Sequence, residues 1–257
     1  MSDFDRNSAA ARGFGAAGRA VAIDQGLRAH MIRVYNYMTG GVALTGVVAW
    51  LAYQAAGGDA IHISGRLITG ATPFGQAILG GPLMWVLLLA PLGLVFFLSY
   101  RIGQLQASTA RLLFFVYAGL LGLGLTSIFV VYTDGSIARV FFLTAASFGA
   151  LSLWGYTTQR SLDAMGSFLI MGLFGLLLAM VVSFFWPSGM LQFVISVLGV
   201  LIFAGLTAWD TQKIKEFYDP MDDGTIAGRK AVMGALALYL DFINMFLFLL
   251  RLFGDRR

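Results

Sequence analysis

Seven apolar runs of about 20 residues constrain the fold of this chain more than any other feature. A helix rising 1.5 Å per residue needs roughly 20 apolar residues to cross about 30 Å of hydrocarbon. The runs cover about 38–56, 83–100, 111–132, 138–156, 165–185, 190–209 and 234–253. Because lipid cannot satisfy exposed backbone groups, and because the runs lack the alternation of barrel strands, we expect helices. The sequence therefore predicts an all-α polytopic membrane protein, a seven-transmembrane-helix bundle.

The runs divide the chain into residues 1–37, a cytosolic N-terminal tail, residues 38–254, the membrane domain, and residues 255–257, a C-terminal tail. The first 37 residues hold five arginines but no apolar core of the length that a secretory signal peptide needs. They also carry Asp3 and Asp5, whereas mitochondrial transit peptides avoid acidic residues. We therefore expect an uncleaved tail.

Composition excludes several classes of function. Only 12% of the residues are charged, against about 25% in a typical soluble domain, so no separate soluble domain is expected. Cysteine is absent, and the two histidines, His30 and His62, are far apart, so we expect no cysteine or zinc chemistry. The sequence contains no phosphate-binding loop of the Walker type and no basic surface module. We expect contact with the lipid bilayer, no nucleic acid and no tightly bound cofactor.

The loop charges predict the orientation. With the N-terminus in the cytosol, 12 Lys and Arg residues lie inside and 5 outside, the outside ones including Arg66 and Arg139. A last segment that enters the membrane and returns would improve the count to 15 against 2, whereas its length of 20 residues favours a full crossing. Both forms stay open at this point. The long loop 57–82 is either a short extracytoplasmic hairpin or disordered.

Two acidic residues fall at or near membrane depth. Asp241 lies seven residues into the last run, and Asp210 directly follows the sixth. A carboxylate at a helix centre costs about 2.5 to 3.5 kcal/mol on insertion scales, so such a residue is a functional candidate. Two nearby carboxyl groups disfavour ionising together and titrate as a coupled unit, which suits a proton-sensitive latch. The structural alternatives are that Asp210 is a solvated helix end beside Lys213 and that Asp241 is hydrogen-bonded to Asn244.

These residues lie in two motifs, Gly205-Leu-Thr-Ala-Trp-Asp-Thr-Gln-Lys-Ile-Lys and Ala235-Leu-Ala-Leu-Tyr-Leu-Asp-Phe-Ile-Asn-Met-Phe-Leu-Phe-Leu-Leu-Arg-Leu-Phe-Gly. They closely resemble the transmembrane Bax inhibitor motif family, specifically its bacterial inner-membrane members, and the similarity extends over about residues 28–254. The resemblance implies a seven-helix fold with the last helix wrapped by the others, and a calcium leak regulated by pH. It places the paired aspartates at Asp210 and Asp241, and an arginine partner near the end of the second helix at Arg101.

The resemblance thus implies a multi-pass protein of the bacterial inner membrane that conducts Ca²⁺ transiently, with Asp210 and Asp241 as cation ligands and proton sensors. Two carboxylates cannot fill the six to eight oxygen positions of Ca²⁺, and weak binding suits a leak. An aspartyl protease also uses paired acids. The chain lacks the Gly-x-Gly-Asp motif of intramembrane aspartyl proteases, so we expect no enzyme. The alternative is a non-conducting protein that modulates another membrane protein, such as a quality-control protease.

Overall fold

The computed structural model describes the backbone of residues 3–64 and 67–257 and the side chains of residues 25–62 and 68–257. Arg66, which entered the charge count, lies outside the described residues. The chain is almost entirely helical. The helices are α1 (Asp3–Ala56), α2 (Pro73–Leu79), α3 (Pro82–Arg101), α4 (Ala107–Gly124), α5 (Thr126–Val131), α6 (Asp134–Thr157), α7 (Asp163–Phe185), α8 (Gly189–Glu216) and α9 (Gly224–Phe253).

Within the described residues, six helical segments are long and apolar enough to cross a membrane. They are α3 with the turn after it, α4 with α5, α6, α7, α8 and α9. The all-α polytopic class is therefore confirmed. The run 38–56 lies within α1, which is not one of the six, so the count of seven stays a prediction.

Helix α9 forms the centre of the bundle. In its most apolar window 72% of the residues are buried, against 6% in α7. Its buried residues cover most of the helix circumference, and the partly exposed ones, at 233, 237, 240, 244 and 247, follow one narrow stripe, as expected for a helix largely enclosed by other helices. The predicted wrapping of the last helix is thus found in the structure.

Helix α1 runs beside α9 in the same direction. His30 and Lys230 line one cavity at one end, the hydroxyl groups of Thr45 and Tyr239 lie 2.6 Å apart near the middle, and the Arg257 guanidinium lies 5.8 Å from the Tyr53 ring centroid at the other end. At 1.5 Å per residue, the 23 steps from His30 to Tyr53 correspond to about 35 Å. The two ends of α9 therefore lie at opposite ends of the bundle, which is the geometry of a full crossing and not of a re-entrant segment.

The boundaries predicted for the tails do not coincide with breaks in the structure. Helix α1 continues through residues 37 and 38, and Met31 and Val34 of the predicted tail are already buried in the core. At the other end, the Thr133 amide donates to the Asp255 carbonyl, and Tyr132 forms a β-bridge with Arg256. Residues 255–257 are thus held against the connection between α5 and α6.

The loop 57–82 contains a short hairpin, so of the two alternatives, a hairpin or a disordered loop, the structure has the hairpin. Strands β1 (His62–Ser64) and β2 (Leu67–Thr69) pair in antiparallel register, and residues 65 and 66 between them lie outside the described part. Gly70 follows with φ of 73° and packs against the Ala60 carbonyl, where a side chain has no room. Helix α2 then begins after Thr72, whose hydroxyl accepts a hydrogen bond from the Gly75 amide.

Candidate functional site

Helices α8 and α9 pack closely and antiparallel, and small residues make this possible. A Cβ atom on Gly199 would lie 2.6 Å from the Phe248 ring, and one on Gly234 would lie 3.0 Å from the Ile214 side chain. Small residues let transmembrane helices approach where lipid supplies no hydrophobic drive for association. These two contacts fix the register of α8 on α9, and Asp210 lies between them on α8.

Asp210 and Asp241 face each other across this interface, and the two carboxyl groups lie close enough to interact. Asp241 is only 4% exposed, and Asp210 is half-buried. An ionised carboxylate can only accept hydrogen bonds, so a hydrogen bond between these two groups requires one proton. The structure therefore brings together the two acids that the sequence singled out, and their function remains a prediction.

The structural alternatives for these residues do not describe the geometry. Helix α8 continues to Glu216, so Asp210 does not lie at a helix end. Lys213 does not pair with Asp210 but with Asp163, at 2.6 Å, and with Glu216, at 3.3 Å. The side-chain amide of Asn244 donates to the Leu240 carbonyl one turn earlier, at 2.8 Å. Neither alternative accounts for the contact between the two acids.

A cavity of about 390 Å³ leads to Asp210 at the end of the bundle where α8 ends and α9 begins. Three basic side chains, those of Lys213, Arg229 and Lys230, line it together with His30 and apolar residues. Lys230 is paired with Asp222 at 2.5 Å, so part of this charge is neutralised. The cavity thus reaches Asp210, whereas Asp241 lies behind the cavity wall.

His30 lies on the wall of this cavity, outside the apolar runs, and its ring packs on that of Tyr218 with centroids 5.7 Å apart. Burial lowers the pKa of His30 below its usual 6.5, and the neighbouring charges of Arg33 and Lys230 lower it further, while Asp222 opposes them. His30 is therefore neutral at pH 7.

Arg229, rather than Arg101, joins two elements at this end. The Arg229 side chain donates to the Leu105 carbonyl at 2.5 Å and to the Gly103 carbonyl at 2.8 Å, which ties α9 to the connection between α3 and α4. Arg101 is exposed, and its hydrogen bond in the structure goes to Gln104. Arg101 directly precedes Ile102 and Gly103, which line the cavity, but it does not contact the acid pair. A role as latch partner therefore requires a rearrangement.

The sequence did not predict the part played by His30, Arg229 and Lys230. The two basic residues were counted only as charges that set orientation. The positions of Arg229 and Lys230 did indicate that both lie near the start of the last helix. They precede the last apolar run, which begins at Gly234, by five and four residues. Among the described residues, no group of three or more His, Asp or Glu side chains is arranged to hold a metal ion.

The helices and the buried acid pair define a polytopic membrane protein with titratable groups at membrane depth. Residues 27–257 match the family model described as Inhibitor of apoptosis-promoting Bax1, and the chain belongs to this Bax inhibitor family. It is 43% identical over 234 residues to the inner membrane protein YbhL of Escherichia coli, covering 90% of this chain and 94% of YbhL.

Two other relatives match similarly. A protein of Rickettsia prowazekii is 42% identical over 234 residues, with 91% of this chain and 92% of the relative covered. A protein of Caulobacter vibrioides is 39% identical over the full length of both chains. With the transmembrane helices, the relationship to YbhL supports a multi-pass protein of the inner membrane.

Proposed function

We propose that this protein is a pH-sensitive calcium leak channel, in which Asp210 and Asp241 line the ion pathway and sense the proton. The observation that carries the proposal is the close approach of these two carboxyl groups beside a cavity that Asp210 lines together with basic side chains. Charged groups at membrane depth are costly and usually serve function. The resemblance of the two motifs around these acids to the Bax inhibitor family supports the same assignment.

The pair has a simple proton-dependent chemistry. With one shared proton, the two carboxyl groups hydrogen-bond and hold α8 against α9. Loss of that proton places two negative charges side by side, which repel each other and attract a cation. Protonation therefore changes the relative populations of closed and open arrangements of the two helices.

The pair also suits transient binding of Ca²⁺. Asp241 Oδ2 is the single buried side-chain oxygen or nitrogen without a hydrogen-bond partner among the described residues. Two carboxylates offer at most four oxygens, so water and backbone carbonyls must supply the remaining two to four ligands. Such an incomplete site binds weakly, as permeation requires.

The test is calcium flux into liposomes that contain the purified chain, measured from about pH 6 to pH 8, where coupled buried carboxyl groups can titrate. We expect Asp210→Asn and Asp241→Asn each to flatten the pH dependence, because the amide keeps the size of the acid but does not titrate. The double variant should do little more than either single variant, since the two residues act as a unit.

Two control variants separate the pair from other titrating groups. Asp219→Asn alters an exposed loop residue that accepts a hydrogen bond from the Met221 amide, and it should retain the parent profile. His30→Gln removes the titratable group on the cavity wall. It should also retain the profile, because the lowered pKa of His30 keeps the ring neutral over most of the window.

Two outcomes would contradict the proposal. If folded Asp210→Asn and Asp241→Asn keep the parent pH profile, the acid pair does not sense the proton. If the purified parent conducts no Ca²⁺ at any pH, the alternative of a non-conducting protein that modulates another membrane protein, such as a protease, replaces the channel.

A further inference from the structure

A second, larger cavity lies away from the acid pair, on the flank of the bundle. It has a volume of about 700 Å³ and is a groove between α1 and α6, with Phe242 of α9 in its floor. The two helices flank the groove without packing extensively against each other. The volume lies in the range of sites that bind small molecules, about 300 to 1,000 Å³.

The interior of the groove offers apolar contact. Met38, Val42, Phe141 and Phe148 contribute to its walls. The hydroxyl of Ser152 is already satisfied within the protein, by hydrogen bonds with Tyr35 and, at 2.9 Å, with Thr211. An occupant of the interior therefore needs an apolar body.

One end of the groove is basic. Arg28 lines this end, is exposed and has no ion pair or hydrogen bond among the described side chains. Nearby, the Lys215 ammonium lies 5.3 Å from the ring centroid of Tyr156, another lining residue, and donates to its carbonyl at 2.9 Å. Among the residues whose side chains the structure describes, no acidic one lines the groove. The basic end is thus complementary to an anion.

The length of the groove corresponds to one leaflet of a bilayer. From Arg28 to Val42 on α1 there are 14 steps, or about 21 Å at 1.5 Å per residue. Half of a bilayer about 40 to 45 Å thick, headgroups included, is about 20 to 22 Å. A lipid with its headgroup at Arg28 can therefore extend its acyl chain to Phe141 at the inner end of the groove.

We propose that this groove binds an anionic phospholipid of the leaflet on the N-terminal side of α1, with Arg28 at the phosphate and an acyl chain between α1 and α6. The charge distribution predicts that this leaflet is cytoplasmic. A smaller cavity of about 280 Å³ continues into the other leaflet beyond Phe141. It is lined by Asp134 instead of a basic residue, so it does not offer the same complementarity.

The test measures retention of phosphatidylglycerol and phosphatidylcholine with identical acyl chains on the purified full chain by native mass spectrometry. A cationic side chain near an anionic headgroup contributes about 1 kcal/mol, which corresponds to about fivefold in affinity. We expect the parent to prefer phosphatidylglycerol about fivefold and Arg28→Ala to lose this preference. Arg33→Ala removes an exposed charge from the same helix, outside the groove, and should keep it.

A second pair of variants tests the groove itself. Gly149 lines the groove and Gly175 lies on α7, and a Cβ atom at either glycine meets no atom within 4 Å. Gly149→Leu should fill the groove and lower the retention of both lipids, whereas Gly175→Leu should retain the parent level. Equal loss of preference in Arg28→Ala and Arg33→Ala, or unchanged retention in Gly149→Leu, would overturn the proposal.

Discussion

The hydrogen bond between Thr45 and Tyr239 permits a quantitative prediction about what holds α1 against the central helix. Tyr239 is fully buried, and its ring is in edge contact with those of Phe114 and Tyr117. Thr45 Oγ1 lies 2.6 Å from the Tyr239 hydroxyl and 2.9 Å from the carbonyl oxygens of both Gly41 and Ala118. Because the threonine hydroxyl has one proton, which goes to a carbonyl, the tyrosine must donate to Thr45.

The two partners are therefore not equivalent. Tyr239→Phe leaves Thr45 with a carbonyl acceptor and keeps the ring contacts, so it should cost about 0.6 kcal/mol, the average for a hydrogen bond between membrane helices. Thr45→Val keeps the side-chain shape but leaves the buried Tyr239 hydroxyl without its acceptor. This variant should cost about 1 to 3 kcal/mol, because an unpaired buried polar group loses its full solvation.

The double variant provides the decisive comparison. With both polar groups removed, no unpaired hydroxyl remains, so Thr45→Val with Tyr239→Phe should be more stable than Thr45→Val alone. The assay is reversible unfolding of the purified protein in mixed micelles with increasing sodium dodecyl sulfate. A double variant less stable than Thr45→Val alone would refute this assignment of donor and acceptor.

Two further predictions concern the ends of the bundle. The chain contains no cysteine, so single cysteines can be labelled with a membrane-impermeant reagent. We expect Gln106→Cys and His62→Cys to react from opposite sides of the membrane, and Arg256→Cys to react from the same side as His62→Cys. Reaction of all three from one side would contradict the full crossing of α9. Hydrogen bonds from Arg257 and Tyr53 hold the pKa of Asp59 below its usual 3.8. These bonds therefore stabilise the fold fully above pH 3.8, and the stabilisation is lost as the pH falls through the lowered pKa. Asp59→Asn should therefore unfold slightly more easily than the parent at pH 7, and this difference should narrow as the pH falls below 3.8, as measured by the same unfolding assay. A difference that stays constant on acidification would contradict this.

Hydropathy predicted where the chain crosses the membrane better than where its helices end. The sixth run was predicted to stop at Trp209, but α8 continues to Glu216. The continuation contains Gln, Lys and Glu, which are good helix formers, and Ile214, which is buried. An apolar run marks the thickness of the hydrocarbon, whereas a helix ends where its backbone hydrogen bonds are capped.

At the start of α9, too, the apolar run and the helix have different limits, and here the sequence contains a residue that indicates the helix start. The last run was predicted from Gly234, but the helix begins ten residues earlier, at Gly224. The Asp223 side chain accepts hydrogen bonds from the amides of Thr225 and Ile226, at 2.8 and 2.7 Å. Aspartate is a favoured N-cap residue, so the sequence Asp-Gly-Thr indicated a helix start.

In the candidate site, the two acids could be predicted from the sequence, whereas the role of Arg229 could not. The cost of a carboxylate in the membrane identified Asp241 and directed attention to Asp210, because this argument depends only on depth. Arg229 could not be assigned in the same way, since a basic residue near the membrane boundary costs little and helps to set orientation. Its bonds to the carbonyls of Gly103 and Leu105 depend on tertiary packing.

The central position of α9 and the chemistry of the acid pair are physically connected. On a lipid-facing helix, Asp241 would meet hydrocarbon, but on the most enclosed helix it meets another acid. More than nine in ten buried polar groups in proteins have a hydrogen-bond partner. Among the described residues, the exception on a side chain is Asp241 Oδ2, on an acid singled out from its depth alone. An oxygen that the protein leaves unpaired, directly behind an acid that lines a cavity, can accept from water or bind a cation once α8 and α9 separate, and this is what the proposed pathway requires.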